Sequence, residues 1–266
     1  MSTTTAASRD HQSTRTSWAM PILTVLGIAA AIAMAYLGSG ALVGTPVAEA
    51  AGGALSADAT PLAPASAAFS IWAVIYLGLA GYAIWQLTPT ARASERQRAL
   101  RPWALLSALL NAGWLFTVQL DQLWLSVVVI VALLAVLIRI LYLLGRPRTG
   151  GVVELVLTDG TFGLYFGWVL AATFANTWAT FADAGVTAFE EVPVGIVGLV
   201  VAAAVAALAA FRDGGRIAPA LATAWGLAWI AVARTEGEFA SEALVWTAAA
   251  AAAVVLLAAI ASQIRR

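Results

Sequence analysis

Cysteine is absent from the 266 residues, and lysine is absent as well, so all 14 basic residues are arginine. Without thiols there is no disulfide, no thiolate nucleophile and no thiolate metal site. Without lysine there is no Schiff base, which excludes a retinal protein. The one histidine, His11, lies in a polar N-terminal stretch, so the apolar part of the chain offers no imidazole to haem or metal, and no metal site is expected. Charge is scarce: 11% of residues are charged and 62% are hydrophobic, which excludes a soluble globular core and indicates a polytopic membrane protein. Fourteen acids offset the arginines to a net charge of +0, so nothing favours nucleic acid as a partner, whereas the lipid bilayer is one by composition.

What is abundant is apolar sequence in long runs. Residues 1–16 are rich in Ser and Thr and read as a disordered tail. Eight stretches long enough to cross a bilayer follow, at 18–42, 66–88, 102–120, 123–144, 151–177, 192–211, 217–234 and 242–263. The expected fold is therefore all-α, a polytopic membrane bundle of about eight transmembrane helices. Most connections are short, but 43–65 and 178–191 are long enough to fold over a helix end. Ala48-Glu49-Ala50 resembles a signal-peptidase site, yet the apolar run before it is longer than a secretory h-region, so the first helix is expected to be retained.

Charge placement sets an orientation. If eight spans alternate, Arg9, Arg15, Arg92, Arg96, Arg98, Arg101, Arg146, Arg148, Arg212, Arg216, Arg265 and Arg266 fall on one side and Arg234 alone falls on the other. Both termini are then cytoplasmic and the protein sits in the cell membrane, with an acidic outer surface that includes Asp121, Glu190 and Glu236.

Depth sorts the 11 tryptophans. Trp18, Trp85, Trp103, Trp124, Trp178 and Trp246 lie near span ends, where aromatic belts anchor at headgroups. Trp72, Trp114, Trp168 and Trp229 lie one layer deeper, roughly 9–12 Å in at helical rise, and Trp225 is one turn deeper still. An indole N–H in hydrocarbon needs a partner, so one shared layer on different helices points to a common pocket. Helical phase supports this: Phe69, Trp72 and Tyr76 share a face of the second span, and Ser107, Asn111 and Trp114 share a face of the third. On the fifth span Tyr165, Trp168, Ala172 and Asn176 form one face, while Gly163, Gly167, Ala171 and Ala175 form a smooth stripe about 120° away that suits close helix packing. Jointly these residues predict a ligand cavity.

Phe69-x-x-Trp72-x-x-x-Tyr76, Leu110-Asn111-x-x-Trp114 and Tyr165-x-x-Trp168-x-x-x-Ala172-x-x-x-Asn176, in this order and on these helices, resemble the TspO/MBR family of tryptophan-rich sensory and translocator proteins. The resemblance covers the first five spans. It divides the chain into a tail at 1–16, a five-helix core at 17–180 and three additional helices at 181–266. It implies a pocket beneath the loop joining the first two helices, binding a flat hydrophobic ligand: a porphyrin-like tetrapyrrole, a sterol or an isoprenoid. The implied ligand-binding residues are Trp72, Tyr76, Asn111, Trp114, Tyr165, Trp168, Ala172 and Asn176, with Pro61 and Pro64 in the covering loop and no covalent cofactor. Ala65, Ala67, Leu164 and Ala171 depart from the family pattern, and the small Ala171 is expected to widen or reshape the cavity. The resemblance also brings an alternative, light-dependent porphyrin breakdown; a second, small-molecule transport, rests on the three additional helices and on Asp159, an intramembrane carboxylate outside the family pattern and without an obvious partner. Glu154 is expected to pair with Arg139 across the hairpin. The Ala-rich last helices favour close contacts and are expected to cover a face that relatives use to dimerise, while a homodimer stays open.

Overall fold

The computed structural model describes residues 18–38 and 45–265. The tail expected at 1–16 and the last residues of the first predicted span lie outside them. The described residues form α1 (Ala19–Gly38), α2 (Ile71–Trp85), the short α3 (Pro89–Ala93), α4 (Glu95–Gln119), α5 (Leu123–Leu144), α6 (Gly151–Glu154), a π-helical turn (Leu155–Gly160), α7 (Thr161–Asp183), α8 (Val192–Asp213), α9 (Ile217–Ala233) and α10 (Glu242–Ile264), with no strand among them. The fold is an all-helical membrane bundle, as expected.

Six helical stretches are long and apolar enough to cross a membrane: α1, Ser66–Trp85, α5, Gly151–Asp183, α8 and α10. The other two of the eight expected spans differ for distinct reasons. The first turns of α4 carry Glu95, Arg96, Arg98 and Arg101, which dilute its hydropathy, and α9 has only 17 residues. Both lie against apolar neighbours, α4 between α1 and α5 and α9 between α7 and α10.

Local chemistry fixes the helix ends. Ser94 Oγ accepts from Gln97 N at the start of α4, Thr88 Oγ1 accepts from Ala91 N with Pro89 in the first turn of α3, and Ser241 Oγ accepts from Leu244 N at the start of α10. Helix α8 stops at Gly214, whose φ of 77° is the left-handed cap that glycine adopts without strain. Both described chain ends lie at the arginine-rich end of the bundle: the Arg92 guanidinium sits 3.7 Å over the Trp18 ring, and Gln263 Nε2 donates to Gly215 O at 2.7 Å.

The smooth stripe of α7 is where α9 docks. A Cβ at Gly163 would run into Ala218 and Pro219, one at Gly167 would run into the backbone of Pro219 and Thr223, and Ala171 Cβ lies against Gly226. Thr223 Oγ1 bridges the two helices by donating toward Gly167 O at 3.1 Å. Ala175 instead faces the cavity described below. Small residues on both helices permit this approach, which in lipid has to be stabilised by packing and interhelical hydrogen bonds.

Trp124 and Trp246, expected in the aromatic belts, are 55% and 73% exposed, whereas Trp85, expected there too, is buried against Gly150. That indole closes the base of the α6 turn rather than anchoring at headgroups.

Candidate functional site

The three aromatic faces converge. Trp72 and Trp168 meet edge to face at 6.4 Å, Phe69 meets Trp168 at 5.6 Å, and Trp72 stacks on Tyr76 at 5.1 Å. Around the first two pairs lies a cavity of about 50 Å³, bordered by Trp72, Asn111, Trp114, Trp168, Ala172 and Asn176. Six of the eight expected ligand-binding residues thus share one wall. Its far side comes from Ile130 and Leu133 of α5 and from Gly226 and Ile230 of α9, and its roof from Ala54, Leu55, Ala63 and Pro64.

Tyr76 and Tyr165 stand elsewhere. Tyr76 borders a neighbouring cavity of about 370 Å³ with Tyr36 and Val47, and the two cavities share Phe69, Trp72 and Trp114 as a partition. Tyr165 is fully buried, its ring edge to face with Trp72 at 5.6 Å and its hydroxyl donating to Ser107 O at 2.9 Å. It braces Trp72 from behind and does not reach the cavity, which corrects its expected place in the wall. Trp229 does not reach it either; it packs on Trp225.

Hydrogen bonding separates the two asparagines. Asn176 is committed to protein: Oδ1 accepts from Trp114 Nε1 at 3.3 Å, and Nδ2 donates to Ser126 Oγ at 2.9 Å, which itself donates to Leu123 O at 2.6 Å. Asn111 Nδ2 donates to Tyr76 OH at 3.0 Å, whereas its carbonyl has no partner among the described residues. The indole N–H groups of Trp72 and Trp168 likewise have none. A cavity lined by aromatic and aliphatic carbon with one free acceptor and two free donors is suited to an apolar ligand with a few polar atoms.

A family model for TSPO-like protein matches residues 21–261. The chain belongs to the TSPO-like family. No curated protein and no solved structure matches the chain. In this TSPO-like membrane protein the match runs through α8, α9 and α10, beyond the five spans on which the resemblance in sequence rests.

Of those later helices α9 borders the cavity. Helix α9 holds the roof: Trp229 O accepts from Ala65 N at 3.1 Å, Trp225 Nε1 donates to Ala68 O at 2.9 Å, and Arg234 donates from Nη1 to Thr60 O at 2.7 Å and from Nη2 to Ala57 O. Arg234, the one arginine on the acidic side, is therefore a buried clamp on the loop. Of the two outcomes expected at Ala171, a wider or a reshaped cavity, helix α9 favours the second. With Gly226 seated on Ala171, backbone fills the space that a larger side chain would have taken, and the cavity stays small.

At the arginine-rich end a second cluster appears that motif reading missed. Arg96 of α4, only 2% exposed, donates to Glu154 Oε1 at 2.6 Å, to both Asp159 oxygens at 2.9 Å and to Leu144 O at 2.9 Å. Arg216 adds a 2.7 Å bond to Asp159 Oδ1. Glu154 Oε2 accepts from Thr149 N and Gly150 N at 2.8 and 2.7 Å, and Oε1 from Gln97 Nε2 at 2.8 Å. Gln86 and Arg101 extend the chain of bonds. The unpartnered Asp159 and the Arg139–Glu154 pair are both corrected: Asp159 has two guanidinium partners, and Arg139 lies 5.8 Å over the Trp103 ring. A buried ion cluster with this many hydrogen bonds is a structural joint, because each charge is compensated where water is excluded.

Proposed function

We propose that this TSPO-like protein is a membrane receptor of the sensory and translocator kind that binds a flat hydrophobic ligand between Trp72 and Trp168. A porphyrin-like tetrapyrrole is the class the family resemblance favours, ahead of a sterol or isoprenoid. The observation that carries the reading is the shared wall of Phe69, Trp72, Trp114 and Trp168, beside a free Asn111 carbonyl and two free indole donors. Stacking on these rings contributes about 0.5–1.5 kcal/mol per aromatic pair beyond area burial. With no histidine or cysteine near the cavity, the ring system of a tetrapyrrole is held rather than its metal.

A cavity of about 50 Å³ admits water-sized groups, whereas drug-sized ligands occupy roughly 300–1,000 Å³. Binding on this reading swings Trp72 aside and joins the small cavity to the 370 Å³ one behind it. The roof loop, held by backbone bonds to α9 and by Arg234, covers the ligand from the acidic end. The arginine-rich end and both termini then face the cytoplasm across the cell membrane.

The test is a titration of the purified protein with protoporphyrin, followed by tryptophan quenching. Saturable quenching that weakens in Trp72→Phe and Trp168→Phe supports this site. Quenching that is unchanged in both variants places the ligand elsewhere.

A further inference from the structure

At the arginine-rich end a groove of about 930 Å³ runs between α5, α7 and α8. Its length is aliphatic and aromatic, with Ile138, Phe166, Leu170 and Leu208 along it, and its mouth carries Arg146, Arg148, Arg212 and Arg216. Four guanidinium groups against one carboxylate around an apolar groove form an amphipathic site with an excess of positive charge. The only acid in the lining, Asp213, is occupied, its Oδ1 accepting from Gly215 N and Arg216 N at 2.9 and 3.1 Å. Arg216 is partly spent on Asp159, but its Nε is buried with no acceptor among the described residues. Arg146, Arg148 and Arg212 are exposed, and their guanidinium groups have neither an ion pair nor a hydrogen bond within the described residues.

A second hollow of about 880 Å³ lies on the other side of Arg148 and Arg216 and borders both residues. It is bounded by Val74, Leu77, Val156, Leu164 and Leu221, and by Asp159, whose carboxylate is paired with Arg96 and Arg216. Two apolar hollows thus meet at one pair of arginines.

We propose that this end of the bundle binds an anionic phospholipid, its phosphate held by Arg146, Arg148 and Arg212, with one acyl chain in each of the two hollows that meet at Arg148 and Arg216. Guanidinium groups suit phosphate because their fixed forks match its oxygens. A neutral phospholipid carries the same chains, but its headgroup cation opposes the four arginines. A soluble anion satisfies the arginines and leaves the two hollows unfilled. This site is separate from the aromatic cavity and does not depend on the ligand proposed there.

The experiment is native mass spectrometry of the full chain in neutral detergent, titrated with phosphatidylglycerol and in parallel with phosphatidylcholine. The expected result is preferential retention of phosphatidylglycerol, with affinity about a hundredfold lower in the triple variant Arg146→Gln, Arg148→Gln, Arg212→Gln, at roughly a factor of five per arginine. Leu208→Trp, which blocks the α5–α8 groove and leaves the arginines intact, is expected to lower phosphatidylglycerol retention as well, and it tests the site should the triple variant fail to fold. Equal retention of the two lipids, or full retention in the folded triple variant and in Leu208→Trp, overturns the proposal. Displacement of phosphatidylglycerol by an equal concentration of glycerol 3-phosphate overturns it too, since that identifies a soluble-anion site.

Discussion

The two halves of the helix running from Gly151 to Asp183 treat polar groups in opposite ways. In the half that begins at Gly151, Glu154 and Asp159 are saturated: between them they accept from two arginines, a glutamine and two backbone amides. In the other half Trp168 has an indole N–H without a partner among the described residues, and Ala172 borders an internal space. Charge in a membrane bundle is costly unless compensated, so the charged half is built as a joint. Aromatic surface costs little in hydrocarbon, so the other half can leave space beside it, with indole donors that a ligand acceptor would satisfy. Completeness of bonding therefore separates structure from site here more sharply than polarity does, and the carboxylates, the more reactive groups, belong to the structure.

The largest effect is expected from breaking the joint. Arg96→Met leaves Glu154 and Asp159 with fewer partners in a buried setting and is expected to cost about 3–5 kcal/mol of stability, read as a fall in the thermal unfolding temperature in detergent. An unfolding temperature close to wild type would show that water reaches the cluster and that the comparison is drawn in the wrong place.

Next comes the α7–α9 contact. Gly167→Leu puts a side chain into the Pro219 backbone and is expected to destabilise by about 1–3 kcal/mol while also loosening the roof that α9 holds. Limited proteolysis of the 45–65 loop should quicken in this variant.

The asparagines sharpen the comparison within the cavity wall. Asn176→Leu strands the Trp114 N–H and is expected to cost about 1–3 kcal/mol in unfolding experiments, with a smaller change in ligand affinity. Asn111→Leu loses one bond to Tyr76 and the free carbonyl, so the larger share of its effect should appear in protoporphyrin titrations. If both variants behave alike, the distinction between committed and free amides fails.

The smallest effect concerns the roof loop. Ala51 adopts a φ of 50°, a left-handed conformation that costs a residue with a Cβ about 1 kcal/mol. Ala51→Gly should raise the unfolding temperature slightly without altering binding.

Much of the aromatic site was legible in the sequence because it depends on local rules. Helical period places Trp72 beside Tyr76 and Asn111 beside Trp114, and distance from a span end gives depth. Tyr165 shows the limit of that logic: phase puts it on the Trp168 face, but its hydroxyl finds Ser107 O on α4 and turns the ring behind Trp72. The ion cluster was hidden for a different reason. Arg96 and Arg101 read as loop charges beside a span, and whether such side chains reach water or turn inward depends on acceptors 48 to 63 residues away for Arg96. The π turn at Leu155–Gly160 adds a further offset, shifting the phase of Glu154 relative to α7 by a residue that no pattern announces. Helix α9 was visible as a span, but its seat on Gly163 and Gly167 could be read only as a smooth face awaiting a neighbour.

The most direct test measures protoporphyrin affinity and unfolding temperature together in two variants, Ala172→Phe and Asp159→Asn. Ala172→Phe fills the cavity and is expected to lower affinity at least tenfold, a change of about 1.4 kcal/mol, with a near-normal unfolding temperature. Asp159→Asn is expected to lower the unfolding temperature while the folded protein binds protoporphyrin as wild type does. Lost binding in a fully stable Asp159→Asn variant, together with unchanged binding in Ala172→Phe, would contradict the account.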